Sequence, residues 1–267
     1  MNMRSVRLRP VETIRELRSA LRPSETSLTQ EEVHSLRRLI RRVETILHVL
    51  GPDAVDNFPG LLKDLARIGR KAGAVRDMDV LIKLASALPV DQEEECLFKI
   101  LDCLTSKRKQ GARKLHRAIV GYESSTPRDL KDLSDYIEKG SFILDQKIAN
   151  ARGSEPAPVE LVTSISGELA AGPRLGPDNL HAFRLRVREL RSVLQLLGHD
   201  SNGLVKLLGA VKDAIGEWHD WTVLASTAAD IGCAARSEVM KEIRRTVRAK
   251  YDSARVTANM MRKNIAG

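Results

Sequence analysis

Apolar residues recur every three or four positions along most of this chain. From Val33 they fall at Leu36, Ile40, Val43, Leu47 and Leu50, and from Leu180 at Phe183, Val187, Leu190, Leu194 and Leu197. That period puts them on one face of a helix. The period-two alternation of a half-buried strand is sustained nowhere. Breakers fall between the periodic runs: Pro10 suits a first helical turn, Gly51-Pro52 stops a helix, Pro89 and Asp91 separate two more, and Thr126-Pro127 opens another. The pattern predicts helices over 9–22, 30–50, 57–88, 91–122, 128–150, 157–171, 178–198, 202–231 and 233–264. Gly60, Gly69 and Gly73 leave a bend or break open within 57–88. The fold class is all-α, and long helices with short connections favour antiparallel bundles.

The richest Gly/Pro linker spans 150–158, and a second break, Gly172 to Pro177, precedes the helix that carries Phe183. An internal repeat lies on either side of the linker. Val33–Val43 resembles Leu180–Leu190, with His34, Arg37 and Arg41 matching His181, Arg184 and Arg188 at an offset of 147. Ala72–Leu81 resembles Ile215–Leu224, with Gly73, Asp77 and Val80 matching Gly216, Asp220 and Val223 at an offset of 143. Two blocks in the same order at nearly the same separation indicate a duplicated helical unit. The first repeat is expected over 1–150 and the second over 151–267.

Charge sharpens the picture. The 267 residues carry 44 Lys+Arg against 35 Asp+Glu, a net charge of +9, which favours polyanionic partners. Aromatic residues are only 3%, too few for base-stacking platforms. No apolar run is long enough to span a bilayer, and the start, MNMRSVRLRPVETIREL, lacks the apolar core of a secretion signal. Cys96, Cys103 and Cys233 make an odd set without CxxC spacing. Buried thiols in a reducing cytoplasm are therefore expected, with no disulfide framework and no zinc site.

On a helix, His34, Arg37, Arg38, Arg41 and His48 fall within an arc of about 100°. His181, Arg184, Arg188 and Arg191 share an arc of about 80°. Each helix thus has a core face and a basic face. Cations stacked one turn apart repel by a few tenths of a kcal/mol per pair. Stability alone would place glutamates between them, so an external polyanion is the natural neutraliser. The planar fork of Arg holds two phosphate oxygens at once. The following helix adds Lys63, Arg67 and Arg70, with Lys206 at the matching place in the second copy. Asp77 and Asp220 would orient Arg or His side chains. Lys107–Arg117 and Arg236–Lys263 are further cationic stretches, each weak evidence alone. Trp218 and Trp221 read as packing residues, and Glu93–Glu95 as the acidic first turn of a helix.

Other readings stay open on these residues. An Arg-rich face is often plain solvated surface. His34 and His181 could serve a metal, although no second His or Cys stands at i+4. A metal-dependent phosphate-handling enzyme, a phosphate acceptor working through histidine, and a nucleic-acid-binding helical protein are the functional rivals. The P-loop, HExxH, GxSxG and GxGxxG motifs are all missing.

The two His-x-x-Arg helices, each followed by Gly-x-x-[Arg/His]-Asp, resemble the CHAD domain, the conserved histidine α-helical domain. The resemblance extends over nearly the whole chain as two tandem copies. It implies two pseudo-symmetric four-helix bundles with a basic surface or pore between them. It also implies cofactor-free, non-catalytic binding of inorganic polyphosphate, and association with cytoplasmic polyphosphate granules. The implied binding residues are His34, Arg37, Arg38, Arg41, Lys63, Arg67 and Arg70 in one copy, and His181, Arg184, Arg188, Arg191 and Lys206 in the other. The departures from the family pattern are Ala72, Glu44, Glu189 and His219.

Overall fold

Helix boundaries in the computed structural model follow the breakers closely. Residues 10–22, 28–50, 52–90, 95–122, 126–139, 156–196 and 203–266 are described. Their regular elements are all helices: α1 (Pro10–Ala20), α2 (Gln30–Leu50), α3 (Pro52–Asn57), α4 (Pro59–Ser86), α5 (Glu95–Gly121), α6 (Thr126–Lys139), α7 (Pro156–Ala171), α8 (Pro177–Leu196), α9 (Gly203–Asp230) and α10 (Glu238–Ala266). The all-α expectation holds. The 140–155 stretch, which includes most of the expected linker, lies outside the described residues.

Local chemistry sets the helix ends. Thr29 and Glu32 form a capping box at the start of α2: the Thr29 amide donates to Glu32 Oε2 at 2.7 Å, and the Glu32 amide to Thr29 Oγ1 at 3.2 Å. At the start of α8, the Gly176 amide donates to Asn179 Oδ1 at 2.8 Å. Helix α9 is followed by a turn at Gly232, at φ 80°, where the Cys233 amide reaches back to the Ala228 carbonyl at 3.0 Å. Glycine tolerates that left-handed turn where other residues are strained. The short α3 was not expected: Pro52 stops α2 but also opens a new turn, where its missing N–H costs nothing.

The chain divides into two units. Of the described residues, one comprises those within 10–83 and 102–139, and the other those within 84–101 and 156–266. The division does not follow chain order, because Leu84–Leu101 groups with the later helices. The first unit buries Leu36, Ile40, Leu65, Ile68, Leu115 and Leu133 in its core. The second buries Leu180, Val187, Leu208, Ile215, Ala254 and Met261. Trp218 and Trp221 are buried, in keeping with a packing role.

Helix α4 runs unbroken through its glycines. Two of them bring α2 close. A Cβ on Gly69 would stand 3.3 Å from Ile40 Cγ2, and one on Gly73 would collide with the Arg37 guanidinium. From the other direction, a Cβ on Gly111 of α5 would stand 3.2 Å from Val75 Cγ2 of α4. Close approach, not bending, explains Gly69 and Gly73.

The cysteine expectation is corrected. Cys96, at the start of α5, is disulfide-bonded to Cys233, beyond the Gly232 turn, with Cα atoms 5.5 Å apart. Cys103 is the free thiol. The partners are 137 residues apart, so neither CxxC spacing nor helix-face arithmetic could reveal the pair.

Candidate anion-binding site

The first copy of the site lies where α2 crosses α4. Arg37 opposite Gly73 and Ile40 opposite Gly69 set the two helices antiparallel. Val33, Leu36, Ile40 and Val43 are buried, which leaves His34, Arg38 and Arg41 exposed and Arg37 half-buried. His34 lies within electrostatic reach of Arg76 on α4 and of Arg38, Arg37 and Arg41 on its own helix. Its pKa is held below the ordinary 6.5, first by lost hydration, then by those four guanidinium groups in that order. The surrounding positive charge thus disfavours the imidazolium, and a bound anion would favour it.

The second copy repeats the arrangement at the expected offsets. A Cβ on Gly216 of α9 would stand 2.7 Å from Nη2 of Arg184 on α8. Arg184 is also tied down through Nε, which donates to the Lys212 carbonyl at 3.1 Å. Where His34 meets Arg76, His181 meets His219, with ring centroids 5.1 Å apart. Thr45 Oγ1 donates to the Arg41 carbonyl at 2.7 Å, and Ser192 Oγ to the Arg188 carbonyl at 2.9 Å. Two interactions thus recur in register, and a third matches in position with different chemistry.

The copies also differ in a coordinated way. Arg191 stands where the first copy has Glu44, and a Cβ on Gly209 would be 3.4 Å from its Nε. The first copy has Ala66 at the place of Gly209. The larger side chain thus comes with the smaller residue beneath it. Arg191 Nε is buried without a hydrogen-bond partner, an unused donor within the basic face.

The remaining expected residues are dispersed along α4 and α9. Lys63, Arg67 and Arg70 are exposed on α4, and Lys206 on α9. Arg67 donates to the Tyr122 hydroxyl and lies 5.9 Å over that ring. Beside them, the Asp64 carboxyl is pushed above its ordinary range, burial being the largest cause. Asp77 is exposed and makes no ion pair among the described residues, while Asp220 is half-buried and engaged. The His48 side chain lies outside the described residues. Sequence reasoning missed Asp79, whose side chain is fully buried and paired with Arg108 Nε at 2.6 Å. Its position was the available signal: it follows Ile68, Ala72 and Val75 on the core face, where a carboxylate needs a cation. Among the described residues, no group of three or more His, Cys, Asp or Glu side chains is placed to hold a metal ion. No helix of the described residues is long and apolar enough to cross a membrane.

A paired His-Arg helix seated on a glycine-bearing helix is the feature that classes this protein. The CHAD domain family matches over residues 12–157, more than half of the chain, and the chain belongs to that family. The matched span contains the first copy of the site; the second lies beyond it. The chain is similar in fold to the CHAD domain of the plant Ricinus communis, at 19% identity and a TM-score of 0.64 over 97% of this chain and 88% of that one. It is also similar to PptA from Streptomyces chartreusis, at 18% identity and a TM-score of 0.59 over 94% and 95% of the two chains. No curated protein matches it.

Proposed function

We propose that this protein binds inorganic polyphosphate, without chemical conversion, along the cationic faces of α2/α4 and α8/α9. The observation that supports this most is the seating of Arg37 on Gly73 and of Arg184 on Gly216. An arginine that only needed solvation would not require a glycine beneath it. Holding the guanidinium in place lowers the side-chain entropy lost when a phosphate is gripped. Its fork then meets two oxygens of one phosphoryl group. His34, Arg38 and Arg41 in one copy, and His181, Arg188 and Arg191 in the other, extend the contact along a repeating anion. Counterion release supplies much of the affinity and makes it fall with salt. A cytoplasmic setting at polyphosphate granules goes with this reading.

The test is a titration of the Arg184→Ala/Arg188→Ala protein with long-chain polyphosphate, alongside circular dichroism. Weaker binding with helicity intact is expected. Unchanged binding overturns the reading, as does displacement of polyphosphate by duplex DNA or RNA at equal phosphate concentration.

A further inference from the structure

A third row of cations lies on α5. From Cys103 to Tyr122 the chain has six Lys or Arg and no acidic residue. Arg108 turns inward to Asp79. Lys107, Lys109, Arg113, Lys114 and Arg117 are exposed, and among the described residues none of them pairs with a carboxylate. Helix α10, of similar length, behaves differently: Lys241 pairs with Glu238, Arg245 with Glu242 and Lys250 with Glu217, each at 2.7 Å.

The packing fixes which way the α5 cations face. Gly111 against Val75 and Arg108 against Asp79 set α5 antiparallel beside α4. Gly69 and Gly73 set α2 on the other side of α4. At 100° per residue, Lys107 and Lys114 lie about 40° and 60° from Gly111, on the side away from buried Leu115 and Ile119. Arg117 continues the same flank. On α4, Lys71 and Arg67 lie about 40° and 80° from Val75, on the side away from Gly73. Following the antiparallel sense of each neighbour, the His34–Arg41 flank of α2 emerges on this side too. The three helices therefore present three parallel cationic rows to the same solvent side of the first unit.

The second copy provides an internal contrast. The offset of 143 places Lys250, Thr257 and Met260 where α5 has Lys107, Lys114 and Arg117, with fully buried Ala254 at the place of Gly111. Lys250 is neutralised by Glu217, and Met260 is 56% exposed. The row has been built in one copy only.

We propose that Lys107, Lys114 and Arg117 form a further polyphosphate-binding row, which makes the first unit the main anchor for long chains. This rests on the polyphosphate reading above. Its occupant is a phosphate polymer because the row adds charge without an aromatic side chain on which a base could stack.

The test compares two variants of the full chain, Lys107→Ala/Lys114→Ala/Arg117→Ala and Arg37→Ala/Arg41→Ala, titrated with long-chain polyphosphate and with tripolyphosphate at several salt concentrations. For the α5 variant, long-chain affinity is expected to fall about tenfold and the slope of log K against log salt to lessen by about 2, as for three lost contacts. Tripolyphosphate, too short to span the rows, should bind it as it binds the parent. Parent-like long-chain affinity and slope in the α5 variant, with binding lost in the Arg37/Arg41 variant, overturns the third row and leaves the general reading standing. Failure of the unaltered chain to bind polyphosphate overturns both. Duplex RNA is titrated in parallel, and a loss in the α5 variant confined to RNA binding overturns the choice of partner.

Discussion

The guanidinium of Arg184 rests on the backbone of Gly216: a Cβ built there would stand 2.7 Å from Nη2 and 3.2 Å from Cζ. Arg37 lies on Gly73 in the same way. The glycine is not serving the helix, where it costs about 1 kcal/mol relative to alanine. It makes room for the cation.

Gly73→Ala and Gly216→Ala should therefore separate stability from binding. The atoms displaced are the far ends of flexible side chains, and alanine favours the helix. Thermal unfolding should show an unchanged or slightly raised Tm, while titration shows polyphosphate binding weakened several-fold. A lowered Tm with parent-like affinity would assign the glycines to packing alone.

The Asp79–Arg108 pair should behave in the opposite way. Arg108→Ala leaves a fully buried carboxylate, with Oδ2 already lacking a partner, without its cation. Loss of one partner from a buried pair costs about 3–5 kcal/mol, and the partial exposure of Arg108 favours the lower end. Urea unfolding would register the loss as a lower midpoint. Replacing Lys109, one residue on and exposed, should leave that midpoint where it is.

Acidity should act on binding and folding with opposite signs. Because the folded pKa of His34 lies below 6.5, the unfolded chain takes up its proton first as pH falls. The ligand-free protein thus loses stability as pH drops below about 6.5. Bound polyphosphate reverses the local field and favours the imidazolium. Affinity should then rise over the same interval, and His34→Gln should flatten that rise. Calorimetric titrations at pH 7.5 and 5.5 on both proteins would measure it.

The disulfide yields a redox prediction. Cys96→Ser, or dithiothreitol on the parent protein, should lower stability by about 2–5 kcal/mol, since the bond closes a long loop. Cys103→Ser should respond to dithiothreitol as the parent does. Equal Tm values for oxidised and reduced parent protein would show that the bond adds nothing.

The sequence reveals what local periodicity encodes. The helices of 30–50, 178–198 and 202–231 are found within about two residues of their expected ends because apolar spacing and caps act over one or two turns. The repeat could be read because His34/His181 and Gly73/Gly216 kept their spacing. Contacts across helices were hidden. The pairing of Cys96 with Cys233, the lodging of Asp79 against Arg108, and the common direction of the α2, α4 and α5 flanks all depend on which helices become neighbours. One charge stretch, Lys107–Arg117, gained meaning only when Val75 and Gly111 showed where it faces.

The Arg191–Gly209 match carries a lesson for anyone recombining the two halves. A hybrid that laid α8 across α4 would bring Arg191 to the limit of van der Waals contact with the methyl group of Ala66 and set His181 beside Arg76, and the reverse hybrid would place Glu44 over the glycine that α9 keeps beneath a guanidinium. Each histidine-bearing helix has become fitted to its own companion, so the duplicated halves are no longer interchangeable parts.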